Sequence, residues 1–153
     1  MAFSLTESSL HVGSSIVTLS DTGLNASSKT LLLADAGTTA AYLELLAIRI
    51  ELTTTATVGN RLMAVRVELT TGPDILYAVT IAANSLAASL SRTWQLAPGV
   101  DEAITSPQQV QMPQGIYVFA GQQLVIEDSA AVDAAADDMI VHVLARRVRI
   151  RNL

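Results

Sequence analysis

The stretch from Arg61 to Ile81, RLMAVRVELTTGPDILYAVTI, constrains the fold more than any other part of the chain. Met63, Val65, Val67 and Leu69 fall on one parity, and Ala64, Arg66, Glu68 and Thr70 on the other. A period of two is the spacing of a half-buried strand. Gly72, Pro73 and Asp74 then interrupt the run, and Ile75, Tyr77, Val79 and Ile81 resume it. Two alternating runs around a short turn predict a β-hairpin. Upstream, Gly59 and Asn60 tolerate the positive φ of another tight turn.

The same signal recurs along the chain. KTLLLA (29–34) is a short apolar run. AYLELLAIRIEL (41–52) places Leu46, Ile48, Ile50 and Leu52 on one face, with Ala47, Arg49 and Glu51 on the other. The Ala, Leu and Glu of AAYLELLAI also suit a helix, but the β-branched residues that follow argue against one continuing. Arg92, Trp94 and Leu96 share a face before Pro98-Gly99 ends a strand, and residues 100–113 read as a long loop. GIYVFAGQQLVIED gives one or two strands around Gly121, SAAVDAAADD a loop or a single helical turn, and MIVHVLARRVRI a last strand.

About eight strands with regular turn signals and no long helix predict an all-β fold: an antiparallel β-sandwich, jelly-roll-like. Residues 1–28, rich in Ser, Thr and Gly, read as an N-terminal arm with one short strand, and 29–153 as a single sandwich domain. No internal repeat points to a propeller or solenoid.

Composition narrows the function. Only 15% of the 153 residues are charged while 50% are hydrophobic. That charge density is low for a free-standing domain and points to apolar surface facing partners. No 20-residue apolar segment predicts a membrane helix. The chain has no cysteine, which removes disulfides, thiol catalysis and thiolate metal sites. The N-terminus lacks the basic and apolar regions of a secretory signal. The net charge of −5 argues against a dedicated nucleic-acid binder.

Four arginines, Arg146, Arg147, Arg149 and Arg151, crowd the last strand. Guanidinium groups pair with carboxylate or phosphate. Protein contacts, within or between subunits, are preferred over nucleic acid, because Val148 and Ile150 interleave the charges as in a strand. Arg92 and Trp94 are the other candidate partner contacts, since Arg and Trp are favoured interface anchors. Arg61, in phase with Met63, is expected at a strand end with its head in water. His11 and His142 are far apart in sequence, and His142, inside the last strand, reads as structural. Glu127, Asp128, Asp133, Asp137 and Asp138 offer oxygen ligands for Ca²⁺ without the spacing of an EF-hand. Their plainer reading is a solvated loop. No catalytic, cofactor-binding or metal-ligating residue stands out, and no cofactor is expected.

One resemblance adds to this. LELLAIRIELTTTATVGNRLMAVRVEL, the turn TTGPDI, SLSRTWQLAPGV and MPQGIYVFAGQQLVIED follow one another over about residues 43–128. In that order they resemble small jelly-roll structural proteins of tailed bacteriophage virions. The resemblance implies a non-enzymatic virion protein: a capsid decoration (cement) protein that bridges capsid subunits, or alternatively a neck, tail or fibre-attachment component. It implies a location on the virion, at the capsid surface. The partners it implies are further copies of the chain, expected as a trimer, and the major capsid protein or other virion proteins, with neither membrane nor nucleic acid. A carbohydrate-binding β-sandwich is the further alternative; it needs exposed aromatic side chains.

Overall fold

The computed structural model describes residues 11–32, 40–55, 57–72, 74–86, 89–100, 107–130, 132–133 and 136–151. The first ten residues of the expected arm, residues 101–106 of the expected loop and Pro73 of the hairpin turn lie outside them. Ten strands and no helix occur among the described residues: β1 (His11–Asp21), β2 (Ser28–Leu32), β3 (Ala40–Thr53), β4 (Gly59–Leu69), β5 (Ile75–Leu86), β6 (Ser91–Ala97), β7 (Gln108–Gln111), β8 (Tyr117–Phe119), β9 (Gln122–Asp128) and β10 (Asp138–Arg151).

They form two sheets. The first runs β1-β10-β3-β6-β7, with β8 also paired to β3, and the second runs β2-β9-β4-β5. The pairs β1–β10, β2–β9, β3–β6 and β4–β5 are antiparallel. These are the rungs of one long hairpin, with its closed end at the β4–β5 turn. Rolled up, that hairpin brings β10 beside β3 and β9 beside β4, as observed. This is the jelly-roll connection of eight strands; β7 and β8 are additions between β6 and β9.

The predicted hairpin is β4–β5, and the run Met63, Val65 and Val67 faces inward and is buried. These residues meet Ile48, Ile50, Leu52, Trp94, Leu96, Val141 and Val143 from the opposite sheet in a single core. The segment with helical propensity is strand β3, because its apolar side chains have a core to enter only when extended.

Three expectations need correction. Within the presumed arm, His11–Asp21 is an eleven-residue strand completing the first sheet, longer than the short strand expected. Within the presumed loop at 100–113, β7 pairs in parallel with β6. Leu46 is not on the core face: Ala47 pairs with Leu144 and Leu45 with Ala145, so Leu46 is the extra residue of a β-bulge. The bulge reverses the phase, and Leu43 and Leu45 before it, with Ile48 and Ile50 after it, all point inward and are buried.

The β1–β2 corner is tied by the chain's one lysine. Lys29 is buried, and its Nζ donates to Asp21 Oδ1 at 3.0 Å and to the Gly23 carbonyl at 2.6 Å. The Gly23 N–H also donates to Asp21 Oδ1. That backbone hydrogen bond, then Lys29, holds the Asp21 carboxyl below its usual value of 3.8. A depressed carboxyl binds fewer protons folded than unfolded, so its stabilisation is present above the unfolded value. It is lost as pH falls through the lower folded value. Asp21→Asn is therefore expected to lower the thermal midpoint at neutral pH, with the difference from the parent shrinking as a titration goes below about pH 4.

Candidate functional site

β4 meets different chemistry at Arg61 and at Val67, about 20 Å apart at the rise of a strand. At its start, Arg61 is in phase with the core residues of β4, and Asp128 is in phase with Leu124 and Ile126 of β9. Met63 pairs with Asp128 across the two strands, which places Arg61 diagonally next to that carboxylate. Arg61 Nη1 lies 3.0 Å from Asp128 Oδ2 and 2.6 Å from Asp137 Oδ2, and all three side chains are fully buried. Asp128 Oδ1 accepts from the Leu62 and Ala130 N–H groups. Asp137 Oδ1 accepts from the Thr55 N–H at 2.9 Å. The Thr55 hydroxyl lies 2.5 Å from Asp133 Oδ2 and 3.2 Å from Asp137 Oδ1; its single proton serves one of them. Thr57 donates to Asp133 as well.

This corrects two expectations. Arg61 does not reach water, because two carboxylates from β9 and the following loop meet it inside the sandwich. Asp128 and Asp137 are not solvated loop residues: both are buried, and Asp137, with Asp133, ties the segment after β9 to the β3–β4 connection through Thr55 and Thr57. The signal was present in the sequence: each of Arg61 and Asp128 occupies a core-parity position of its strand. Gly59 completes the packing, since a Cβ there would lie 2.9 Å from the Val132 side chain. Among the described residues, no group of three or more His, Asp or Glu is placed to hold a metal ion.

The far end of β4 opens onto an aromatic surface. β8 pairs with the start of β3, bringing Phe119 opposite Tyr42 and Tyr117 opposite Glu44. Ile116 and Val118 point inward and are buried, so Tyr117 and Phe119 point out, 41% and 47% exposed. Their rings meet Tyr42 with centroids at 5.5 Å, edge-on for Tyr117 and tilted for Phe119. Beside them is a cleft of about 270 Å³ lined by Leu76, Tyr77, Tyr117, Phe119 and Gln122. Leu76 is 53% exposed, and burial raises the Tyr77 phenol above its usual range. Gln122 Oε1 accepts from the Phe119 N–H, which leaves its amide hydrogens directed elsewhere. Four of the chain's aromatic residues, which number one Trp, three Tyr and two Phe, thus share one end of the sandwich. Sequence reading saw them only as members of separate strands.

The arginine tail does not form one basic patch. Strand alternation sends Arg146 to the outer face, where it pairs with Glu44 at 2.9 Å beside the aromatic cluster. Arg147 and Arg149 have the opposite parity, level with Leu43 and Ala41. Arg147 is half-buried and Arg149 exposed. Arg151 pairs with His11 along the backbone, and its side chain lies outside the described residues. The nearby acidic segment is not the tail's partner for Arg146: Glu127 pairs with Arg66, and Asp128 and Asp137 with Arg61. Arg92 is half-buried at the start of β6. Trp94 is fully buried, so the expected interface anchor is a core residue. His142 sits on the outer face between Ser20 and Arg49.

No protein family, curated protein or solved structure matches the chain.

Proposed function

We propose that the chain is a non-enzymatic structural subunit of a phage virion, a capsid decoration protein that bridges capsid subunits. The observation that carries this reading is the exposed surface of Tyr117, Phe119 and Leu76, backed by the half-buried Tyr42, in a chain of which only 15% is charged. Aromatic side chains exposed together on a stiff sheet are the composition of a protein interface core. The resemblance to phage jelly-roll proteins supplies the kind of assembly. The buried ion cluster at the other end suits a subunit that holds its shape under load.

The test is binding of the purified protein to assembled capsid shells and to free capsid subunits. Binding to shells is expected, and Phe119→Ser is expected to weaken it at least tenfold, the effect of losing one interface anchor. Failure of the parent protein to bind shells refutes the decoration role. Copy number per particle then separates it from a neck, tail or fibre-attachment position, where one ring of subunits replaces shell-wide occupancy.

The same aromatic end favours one other reading. Tyr117 and Phe119 are exposed next to a cleft with phenol and amide groups, a composition suited to binding a saccharide. A glycan array with the parent protein and Tyr117→Ala tests it: binding lost in the variant supports a carbohydrate-binding module, and silence of the parent removes it.

A further inference from the structure

The edges of the two sheets are not alike. β2, β7 and β8 are five, four and three residues long. β5 is longer, but its register with β4 shifts near both ends, at Glu68 and between Gly59 and Arg61. Short strands and bulges are the usual means of keeping a sheet edge from pairing with another chain. β1 has neither. It pairs with β10 in unbroken register over all eleven residues from His11 to Asp21. From Val12 to Ser20 it reads VGSSIVTLS, with no charge and no proline. Among the described residues no strand pairs with its outer edge. A long, regular, uncharged edge is a template for a further strand.

We propose that β1 pairs antiparallel with β1 of a second copy about a two-fold axis through Ile16. The chain itself points to this occupant. Ile16 is the midpoint of His11–Asp21, so an axis there matches every described residue of one strand with a described residue of the other. The midpoint is also a large apolar side chain, 59% exposed on the outer face. The two-fold brings Ile16 against Ile16 of the second copy, and Ser14 against Thr18. Apolar and hydroxyl pairs of this kind are favourable across antiparallel strands. His11 of each copy comes level with Asp21 of the other, so no like charges face one another. A contact of this type is isologous and closes at two copies, which sets the first step of self-association at a dimer and not the expected trimer. The inference rests on the assembly reading above, of which it names the self-contact.

The absence of cysteine from the chain makes the test clean. Light scattering of the full-length protein is expected to give twice the chain mass of 16.1 kDa. Ile16→Cys is expected to form a disulfide-linked dimer in air, because residues directly opposite lie within bridging distance. Thr18→Cys is expected not to, since two such cysteines would be ~13 Å apart along the strands. Ile16→Lys places like charges at the axis and is expected to give a monomer with the parent's circular dichroism spectrum. A monomeric parent overturns the pairing, as does an Ile16→Lys variant of unchanged mass or cross-linking equal at both positions. Shell binding by a monomeric parent overturns the edge contact and leaves the decoration role standing. A dimer that depends on Ile16 but binds no shell supports the edge contact and refutes that role.

Discussion

Arg61→Met is expected to unfold at lower denaturant, with a loss of about 3–5 kcal/mol, the usual consequence of removing one partner from a buried ion pair. The variant keeps most of the side-chain length, so the loss is electrostatic more than steric. Asp128 retains the Leu62 and Ala130 N–H groups and Asp137 retains the Thr55 N–H. Asp137 Oδ2, 2.6 Å from Arg61 Nη1 in the parent, loses its cation and stays buried. Urea titration followed by circular dichroism measures the shift in midpoint at unchanged slope. Asp128→Asn in the same background is expected to be non-additive by more than about 0.5 kcal/mol, because both residues belong to one cluster. A shift below about 1 kcal/mol for Arg61→Met would mean that water reaches the group and the cluster does not hold the loop. The aromatic end, six residues along β4, is expected to keep its structure in the folded fraction.

Trp94→Ala is expected to cost about 3–5 kcal/mol, the range for emptying a large aromatic site in a packed core. Trp94 is fully buried on β6, between Ile50 of β3 and Gln108 of β7 in register. Among the described residues its indole N–H has no hydrogen-bond partner, and its stabilising contribution is taken to come from packing. The measurement also separates a core role from an interface role. Folded Trp94→Ala protein is expected to bind shells as the parent does, while Phe119→Ser loses binding and keeps its denaturation midpoint within about 0.5 kcal/mol. The reverse pattern would return Trp94 to the interface.

Much of the fold was legible along the chain. The hairpin of β4 and β5, the inward set Met63, Val65 and Val67, and the strand character of β10 all follow from alternation. Where alternation breaks, reading it forward fails. Leu46 looks like a core residue because Ile48 and Ile50 follow it at even spacing, yet the bulge opposite Leu144 and Ala145 shifts the phase there. β7 was hidden because QQVQ carries too little apolar character to signal a strand; its pairing with β6 supplies what its sequence does not. The arginine tail looked like one positive site, but the same alternation that identifies β10 as a strand divides its charges between two faces.

The sequence by itself determined most of the strands, their two-residue alternation and the low proportion of charged residues. Side-chain parity is fixed by the covalent geometry of an extended chain and needs no partner. Only the tertiary structure decided which strands lie side by side. Register between distant segments depends on how two sheets pack, not on either segment alone. That packing carries Asp128 to Arg61 across 67 residues of chain. It also sets Phe119 opposite Tyr42 and leaves β1 as the long, unbulged edge of the first sheet. The candidate contact surfaces arise at these long-range meetings.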